Sequence, residues 1–142
     1  MNTIYVGMAL TAAPVEFRDT FQYELKAKLR QLPDVEVLDF SWTKHGPEAN
    51  SNISVYQLDK ENAETADLCV FILDYPSLGL GMEMMMRDRV QKPSLFFVRK
   101  EPMNRTSRMI LGYLEQTEQP LHFYESTDEI ILEVTRAIVI LA

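Results

Sequence analysis

The segment LCVFILDYPSLGLGMEM, from Leu68 to Met84, decides the predicted fold. It begins with a continuous apolar run that ends at Asp74, as is typical of a strand buried on both faces of a sheet. Gly79 and Gly81 follow, and the residues after them predict a helix. Glycines at this point let the backbone turn tightly at the carboxyl end of a strand, so the segment predicts a strand–turn–helix unit.

The same unit places a carboxyl group where a ligand would meet it. We expect Glu83 in the first helical turn, where the positive end of the helix dipole favours an ionised carboxylate. Ligands of parallel sheets bind outside the carboxyl ends of the strands, which makes Glu83 a candidate site residue. First-turn acids and turn glycines are also common for stability alone, and the segment by itself leaves both interpretations open.

Strands and helices alternate along the rest of the chain. The predicted strands are Thr3–Ala9, Val35–Phe40, Leu68–Leu73, Ser94–Val98 and Leu121–Tyr124. Helices are predicted between them and at the end of the chain; the first carries an apolar stripe of Phe17, Phe21, Leu25, Leu29 and Leu32. Five such repeats predict an α/β fold, a flavodoxin-like three-layer sandwich whose five-stranded parallel sheet has the order 2-1-3-4-5. In that order the turn after Gly7 faces the turn Ser77–Gly81 across the ligand crevice.

The composition narrows the class of protein. A length of 142 residues predicts one domain, residues 1–142. The net charge of −7 argues against a nucleic-acid polymer as partner, although it does not exclude a single nucleotide. The single cysteine, Cys69, excludes an intrachain disulfide and a cysteine zinc cluster. No signal-peptide pattern or apolar stretch of ~18 residues is present, so we expect a cytoplasmic protein without a membrane partner.

A phospho-receiver domain is one alternative that the strand ends suggest. Asp74 and Lys100 follow the third and fourth predicted strands, as the phosphate acceptor and the lysine of a receiver would. A receiver also needs an acidic pair after the first strand to hold magnesium, and the segment GMALT, Gly7–Thr11, contains no carboxylate. The sequence therefore disfavours this alternative.

Two further features lie between the second and third strands. The polar segment Ser41–Asn52, which includes Trp42, is long for a connection in a small domain, and such loops are often functional covers. Asp59 falls on the following helix at the edge of an apolar stripe. A carboxylate there is costly unless it is paired, used or able to reach water, and the pattern leaves these options open.

Three segments together resemble a known family. They are TIYVG (Thr3–Gly7), the spacing D-x7-D (Asp59–Asp67) and PSLGLGMEM (Pro76–Met84). They resemble the nucleoside 2-deoxyribosyltransferase family and the related 2′-deoxynucleoside 5′-phosphate N-hydrolases, over Ile4 to about Tyr113. The resemblance implies cleavage of an N-glycosidic bond, without a cofactor or metal, through a covalent intermediate between Glu83 and deoxyribose.

The resemblance also implies roles for other residues. Asp59 would orient the substrate and assist protonation of the leaving base, and Tyr5 would hydrogen-bond near the nucleophile. The implied substrate-binding residues are Gly7, Ser77, Gly79, Gly81, Ser107 and Met109. Of these, Ser107 and Met109 match positions that contact a neighbouring subunit's site, which implies a homodimer or a larger homo-oligomer with shared sites.

Three functions remain open on the sequence. The first is base exchange on 2′-deoxynucleosides, and the second is hydrolysis of deoxynucleoside 5′-monophosphates by the same chemistry. Ser77 favours the second, because a hydroxyl does not repel a phosphate. Met8 and Leu10 oppose it, since they stand where the hydrolases carry serine and arginine. The third is a non-catalytic nucleotide-binding module on the same fold.

Overall fold

A five-stranded parallel sheet forms the centre of the molecule, in a computed structural model that describes residues 1–39, 51–101 and 106–141. The strands are β1 (Asn2–Met8), β2 (Val35–Leu38), β3 (Leu68–Ile72), β4 (Ser94–Arg99) and β5 (Leu121–Tyr124). Their order is β2-β1-β3-β4-β5, and every neighbouring pair is parallel. The predicted flavodoxin-like class and strand order are confirmed.

Helices cover both faces of this sheet. A π-helical turn, Phe17–Phe21, runs directly into α1 (Gln22–Arg30); the others are α2 (Asn52–Thr65), α3 (Leu78–Val90), α4 (Arg108–Gln116) and α5 (Thr127–Leu141). Buried side chains of α1 and α5 pack together in one hydrophobic cluster. Those of α2, α3 and α4 form the second cluster. Each cluster fills the interface between the sheet and one helical layer, so the fold is a three-layer sandwich.

The strands divide their side chains between these two layers. In β1, Ile4 and Val6 belong to the α1–α5 cluster, whereas Tyr5 belongs to the α2–α4 cluster, as the two-residue period of a strand requires. All five residues of β3 are buried. Because β3 has a strand on each side and a helical layer on each face, its apolar run is continuous rather than alternating.

The carboxyl ends of the last three strands are joined through Asp74. One oxygen of this buried carboxylate accepts a hydrogen bond from the Arg99 backbone N–H at 2.8 Å, and the other accepts one from the Tyr124 hydroxyl. Lys100 pairs with Glu125 at 3.0 Å. Both positions that resembled a receiver are thus engaged in holding the sheet edge, which further disfavours that alternative.

The helices α2 and α3 are tied together by a buried arginine. Arg87 of α3 donates hydrogen bonds to the backbone carbonyls of Ala63 and Ala66, at 3.0 and 2.6 Å, and to those of Asp67 and Pro93. It therefore satisfies carbonyls at the end of α2 that have no intrahelical partner. This anchor fixes α2 against α3, the two helices that carry Asp59 and Glu83.

Some predictions fall outside the described residues. Most of the polar segment Ser41–Asn52, including Trp42, lies within residues 40–50, which the structure does not describe. Within the three described ranges, no helix has the length and apolar character needed to cross a bilayer. The cytoplasmic location stays a prediction.

Candidate active site

Glu83 projects from α3 over the middle of the sheet. A Cβ atom built on Gly7 of β1 would lie 2.9 Å from Glu83 Oε2 and 2.6 Å from Cδ1 of Phe71. Only a residue without a side chain leaves room here for both the carboxyl group and the phenyl ring. The Glu83 Oε2 atom is buried, and no described residue gives it a hydrogen-bond partner. An unpartnered buried oxygen is costly, which is a reason to look for a ligand beside it.

The position of Glu83 in its helix corrects one sequence prediction. Helix α3 begins at Leu78, so Glu83 is its sixth residue and lies in the second turn rather than the first. The dipole effect falls off within the first turn and does not hold this carboxyl group ionised. Instead, burial and the nearby Asp59 charge raise the pKa of Glu83 to about 8, although a hydrogen bond with Tyr5 acts in the opposite direction.

The two glycines also lie elsewhere than predicted. Gly79 and Gly81 are inside the first turns of α3, because the hydroxyl oxygen of Ser77 accepts a hydrogen bond from the Leu80 N–H at 3.2 Å and caps the helix one residue before Leu78. A Cβ on Gly81 would meet nothing within 4 Å, and one on Gly79 only the Ser77 hydroxyl at 3.9 Å. Their lack of side chains leaves open space at the amino end of the helix.

Asp59 and Tyr5 stand beside the Glu83 carboxyl group. Asp59 is half-buried on α2, and burial raises its pKa against the opposing effects of a Tyr5 hydrogen bond and the Lys26 charge. Tyr5 is 6% exposed, and burial together with the two carboxylates raises the pKa of its phenol far above the usual value. The phenol therefore stays protonated and available to donate to either carboxyl group.

These three residues line one cleft of about 850 Å³ at the carboxyl ends of β1 and β3. Ser77 and Gly79 line it as well, and so do Met8, Leu10 and Thr11 from the segment after β1. A group of carboxyls with raised pKa values in a cleft is characteristic of functional sites. The structure thus brings together five of the predicted residues, Tyr5, Asp59, Ser77, Gly79 and Glu83, with Gly7 beneath them.

Besides Gly7, three predicted residues are not part of this cleft lining. Gly81 belongs to the same helix but is absent from the lining formed by the described residues. Ser107 is the residue before α4, and Met109 on that helix is 86% exposed. The contribution of Ser107 and Met109 to a neighbouring subunit's site stays a prediction.

The second acid of the D-x7-D spacing serves a different purpose. Asp67 accepts hydrogen bonds from the backbone N–H and the hydroxyl of Thr3, at 2.8 and 2.9 Å. These bonds hold the start of β3 against β1, and they hold the pKa of Asp67 below its usual range. Of the two spaced aspartates, only Asp59 faces the cleft.

The cleft also contains residues that sequence reasoning missed. The wall opposite α2 is formed by α1 and the π-helical turn before it, through Arg18, Gln22, Lys26 and Arg30, with Asp39 after β2. The four helical residues each come directly after a residue of the apolar stripe Phe17–Leu29. Their regular spacing of four was therefore visible in the sequence. Lys26 is 9% exposed although it is charged. No local signal indicated that this side of the helix would line a cleft.

The comparisons with known proteins place the fold. No protein-family model matches the sequence, and no curated protein matches it. The Clostridium botulinum CMP N-glycosidase BcmB is similar with a TM-score of 0.66 and 18% identity, over 95% of this chain and 98% of that protein. A conserved protein from Enterococcus faecalis V583 is similar with a TM-score of 0.58 and 14% identity, over 96% and 99%.

At these identities the comparisons establish a shared fold. BcmB has the fold of nucleoside 2-deoxyribosyltransferase-like proteins, so the predicted resemblance is confirmed at the level of the fold. Nearly full coverage of both chains means that the whole α/β sandwich, rather than one βαβ unit, is shared. Among the described residues, no group of three or more His, Cys, Asp or Glu side chains is placed to hold a metal ion.

Proposed function

We propose that this protein cleaves the N-glycosidic bond of 2′-deoxynucleosides or of their 5′-monophosphates, with Glu83 as the nucleophile. The observation that carries the proposal is the Glu83 carboxyl group, which lies at a cleft with an unpartnered oxygen beside Asp59 and Tyr5. The similarity in fold to a CMP N-glycosidase supports the same class of reaction.

In the proposed first step, the ionised carboxylate of Glu83 bonds to C1′ of the sugar. The bond between C1′ and the base nitrogen breaks, and its electron pair passes to the base. The two carboxyl groups share one proton; in the reactive form it is on Asp59, whose pKa is raised by burial, and Asp59 passes it to the departing base. Tyr5 donates a hydrogen bond to the carboxyl pair, which favours the ionised form of Glu83 against the effect of burial.

In the second step, an acceptor attacks C1′ and frees Glu83. A nitrogen of another base gives a new nucleoside, and Asp59 takes back the proton that this acceptor loses; water gives the free sugar. The first outcome defines a nucleoside 2-deoxyribosyltransferase, our leading proposal, and the second a hydrolase. The cleft has space for a base in either case, so the choice between them depends on the acceptor.

A specific observation favours the monophosphate as the alternative substrate. Thr11 and Arg18 line the same cleft as Ser77, and together they offer two hydroxyl donors and a cation that is paired with Asp19 at 3.0 Å. The Ser77 oxygen accepts the helix-capping bond, which leaves its O–H free to donate to a phosphate oxygen. These donors compensate in part for Met8 and Leu10, and BcmB is itself described as acting on CMP.

The experiment that tests this proposal is a substrate panel. Purified protein is incubated with purine and pyrimidine deoxynucleosides, ribonucleosides and their 5′-monophosphates, and free base is quantified by chromatography. A new nucleoside formed after addition of a second free base identifies the transferase, and a preference for monophosphates without exchange identifies the hydrolase. Absence of base release from every compound would reject both and favour a non-catalytic nucleotide-binding module.

A further inference from the structure

The cationic wall of the cleft is a single ridge of one helix. Arg18, Gln22, Lys26 and Arg30 are spaced by four, so their side chains lie above one another along the π-helical turn and α1. All four line the cleft that contains Asp59 and Glu83. A protein with a net charge of −7 thus has three cations on the cleft that contains its two candidate catalytic carboxyls, Arg18 paired with Asp19 and the other two paired with Asp39.

The centre of this ridge is a hydrogen-bonded network around Asp39. Lys26 Nζ donates to Asp39 Oδ1 at 2.7 Å, and Arg30 donates to Asp39 Oδ2 at 2.8 Å. With its amide oriented to suit both neighbours, Gln22 accepts from Lys26 Nζ at 2.9 Å and donates to the Arg18 carbonyl at 2.8 Å. Burial acts to raise the pKa of Asp39, but the two cations outweigh it and hold the carboxylate ionised.

Lys26 and Asp39 each have hydrogen-bonding positions that no described residue fills. A lysine ammonium has three N–H donors, and described residues accept two of those of Lys26. A carboxylate has about four acceptor positions, and two of those of Asp39 are filled. The Lys26 side chain is 11% exposed and that of Asp39 is 37% exposed, so the carboxylate is accessible from the cleft. The positions that the described residues leave unfilled belong to two side chains that both line the cleft.

The strand order indicates which part of a substrate would lie there. Ser77 and Gly79 follow β3, on one side of β1, and Asp39 follows β2, on the other. Glu83 lies over Gly7 of β1, between them. If C1′ is at Glu83 and the sugar's 5′ side faces Ser77, the base extends toward Asp59, Lys26 and Asp39. The influence of the Lys26 charge on Asp59 agrees with this proximity.

We propose that Lys26 and Asp39 form the base-recognition site, binding nucleobases that carry a hydrogen-bond acceptor and an adjacent donor on one edge. Lys26 donates to the carbonyl oxygen or ring nitrogen of that edge, and Asp39 accepts from the neighbouring N–H. This inference rests on the proposed function for the orientation of the substrate. Its chemistry, however, is that of binding and can be measured without turnover.

The test is calorimetric titration with free bases. Hypoxanthine has a carbonyl next to a ring N–H, whereas unsubstituted purine lacks the donor on that edge. The wild-type protein is expected to bind hypoxanthine about 10- to 100-fold more tightly than purine, the range for a charge-assisted hydrogen bond. Lys26→Met should abolish this preference. Lys28→Met should retain it, because Lys28 on the same helix pairs with Glu24 and Asp128 and is not part of the cleft lining.

A second variant keeps the test decisive if Lys26→Met does not fold. Asp39→Asn keeps the side-chain shape and one acceptor oxygen but turns an N–H toward the base, so it should also reduce the preference for hypoxanthine. An unchanged ratio in both variants, or equal binding of the two bases by the wild type, would overturn the proposal. If the ratio behaves as expected but the substrate panel shows no base release, the recognition site stands and the proposed reaction fails.

Discussion

Two acidic side chains at the carboxyl edge of the same sheet have opposite environments. Asp74 is buried, and both of its oxygens accept hydrogen bonds, from the Arg99 N–H and the Tyr124 hydroxyl. Glu83 has a buried oxygen for which the described residues provide no partner. Burial raises the pKa of both groups. Burial alone therefore does not distinguish a carboxyl group that holds the fold from one available for chemistry, whereas hydrogen-bond saturation does.

The difference extends to what surrounds each group. Asp74 joins the ends of three strands, so its removal would destabilise that edge of the sheet. Glu83 shares its surroundings with a second carboxyl group, Asp59, whose negative charge opposes its ionisation. Two acids placed close together oppose each other's ionisation, an arrangement that stability alone does not explain. We infer that the Asp74 region was shaped by folding and the Glu83 region by chemistry.

Among the residues around the two carboxyl groups, Gly7 is expected to have the largest effect on activity. In Gly7→Ala the new methyl group meets Phe71 at 2.6 Å and Glu83 Oε2 at 2.9 Å, so the carboxyl group must move. Base release should fall about 100-fold, as expected when a reacting group is displaced by about 1 Å. Overpacking should also cost about 1–3 kcal/mol of unfolding free energy, measured by urea denaturation.

Gly112→Ala is the matched control, because a Cβ at this position of α4 would meet nothing within 4 Å. It should keep wild-type activity and lose no stability. Full activity in a folded Gly7→Ala protein would show that the position of the Glu83 carboxyl group does not matter.

An intermediate effect is expected at Tyr5. Because the reactive form has ionised Glu83 and one proton on Asp59, kcat/KM of the wild type should fall as the pH rises through about 8, where the pair of carboxyl groups loses this last proton. The Tyr5 hydrogen bond lowers that pKa, so Tyr5→Phe should move the fall to higher pH. At neutral pH the activity should fall about 10- to 100-fold, the effect of losing a hydrogen bond to a charged group. A pH profile identical to that of the wild type would remove Tyr5 from the site.

The smallest effect on activity is expected at Asp74. Asp74→Asn should lower the unfolding free energy by about 1–3 kcal/mol, because a buried hydrogen-bond network loses a partner. Tyr124→Phe, which removes the hydroxyl donor, should act in the same direction. Activity of both folded variants should stay within about twofold of the wild type, as for a site independent of the cleft. A loss of activity at unchanged stability would contradict the division between the two regions.

The fold was predictable because its signals are local. The five described strands consist mostly of apolar residues, and the buried environment of β3 accounts for the unbroken run Leu68–Leu73. Glu83, Asp59 and Tyr5 were found through the motif that surrounds them and do lie together. The predicted start of α3 was wrong by several residues. Ser77 is a good capping residue, and the helix includes both glycines near its amino end.

The rest of the site could not be predicted from local patterns. The Lys26–Asp39 pair joins a helix to the end of β2 across 13 residues of chain, and only the packed layers bring the two together. The raised pKa of Glu83 likewise depends on its burial and on Asp59, which belongs to another helix. Local sequence gives the period of a helix, but it does not tell which of its polar residues face a cleft.

The central claim is that Glu83 forms a bond to C1′, and acid quenching during turnover tests it most directly. Protein quenched with the best deoxynucleotide or deoxynucleoside of the panel is digested and analysed by mass spectrometry. The peptide that contains Glu83 should gain the mass of one sugar residue, and Glu83→Gln should lose the label and more than about 10³-fold of its rate of base release. A sugar bound to another residue, or base release that survives Glu83→Gln, would contradict the account.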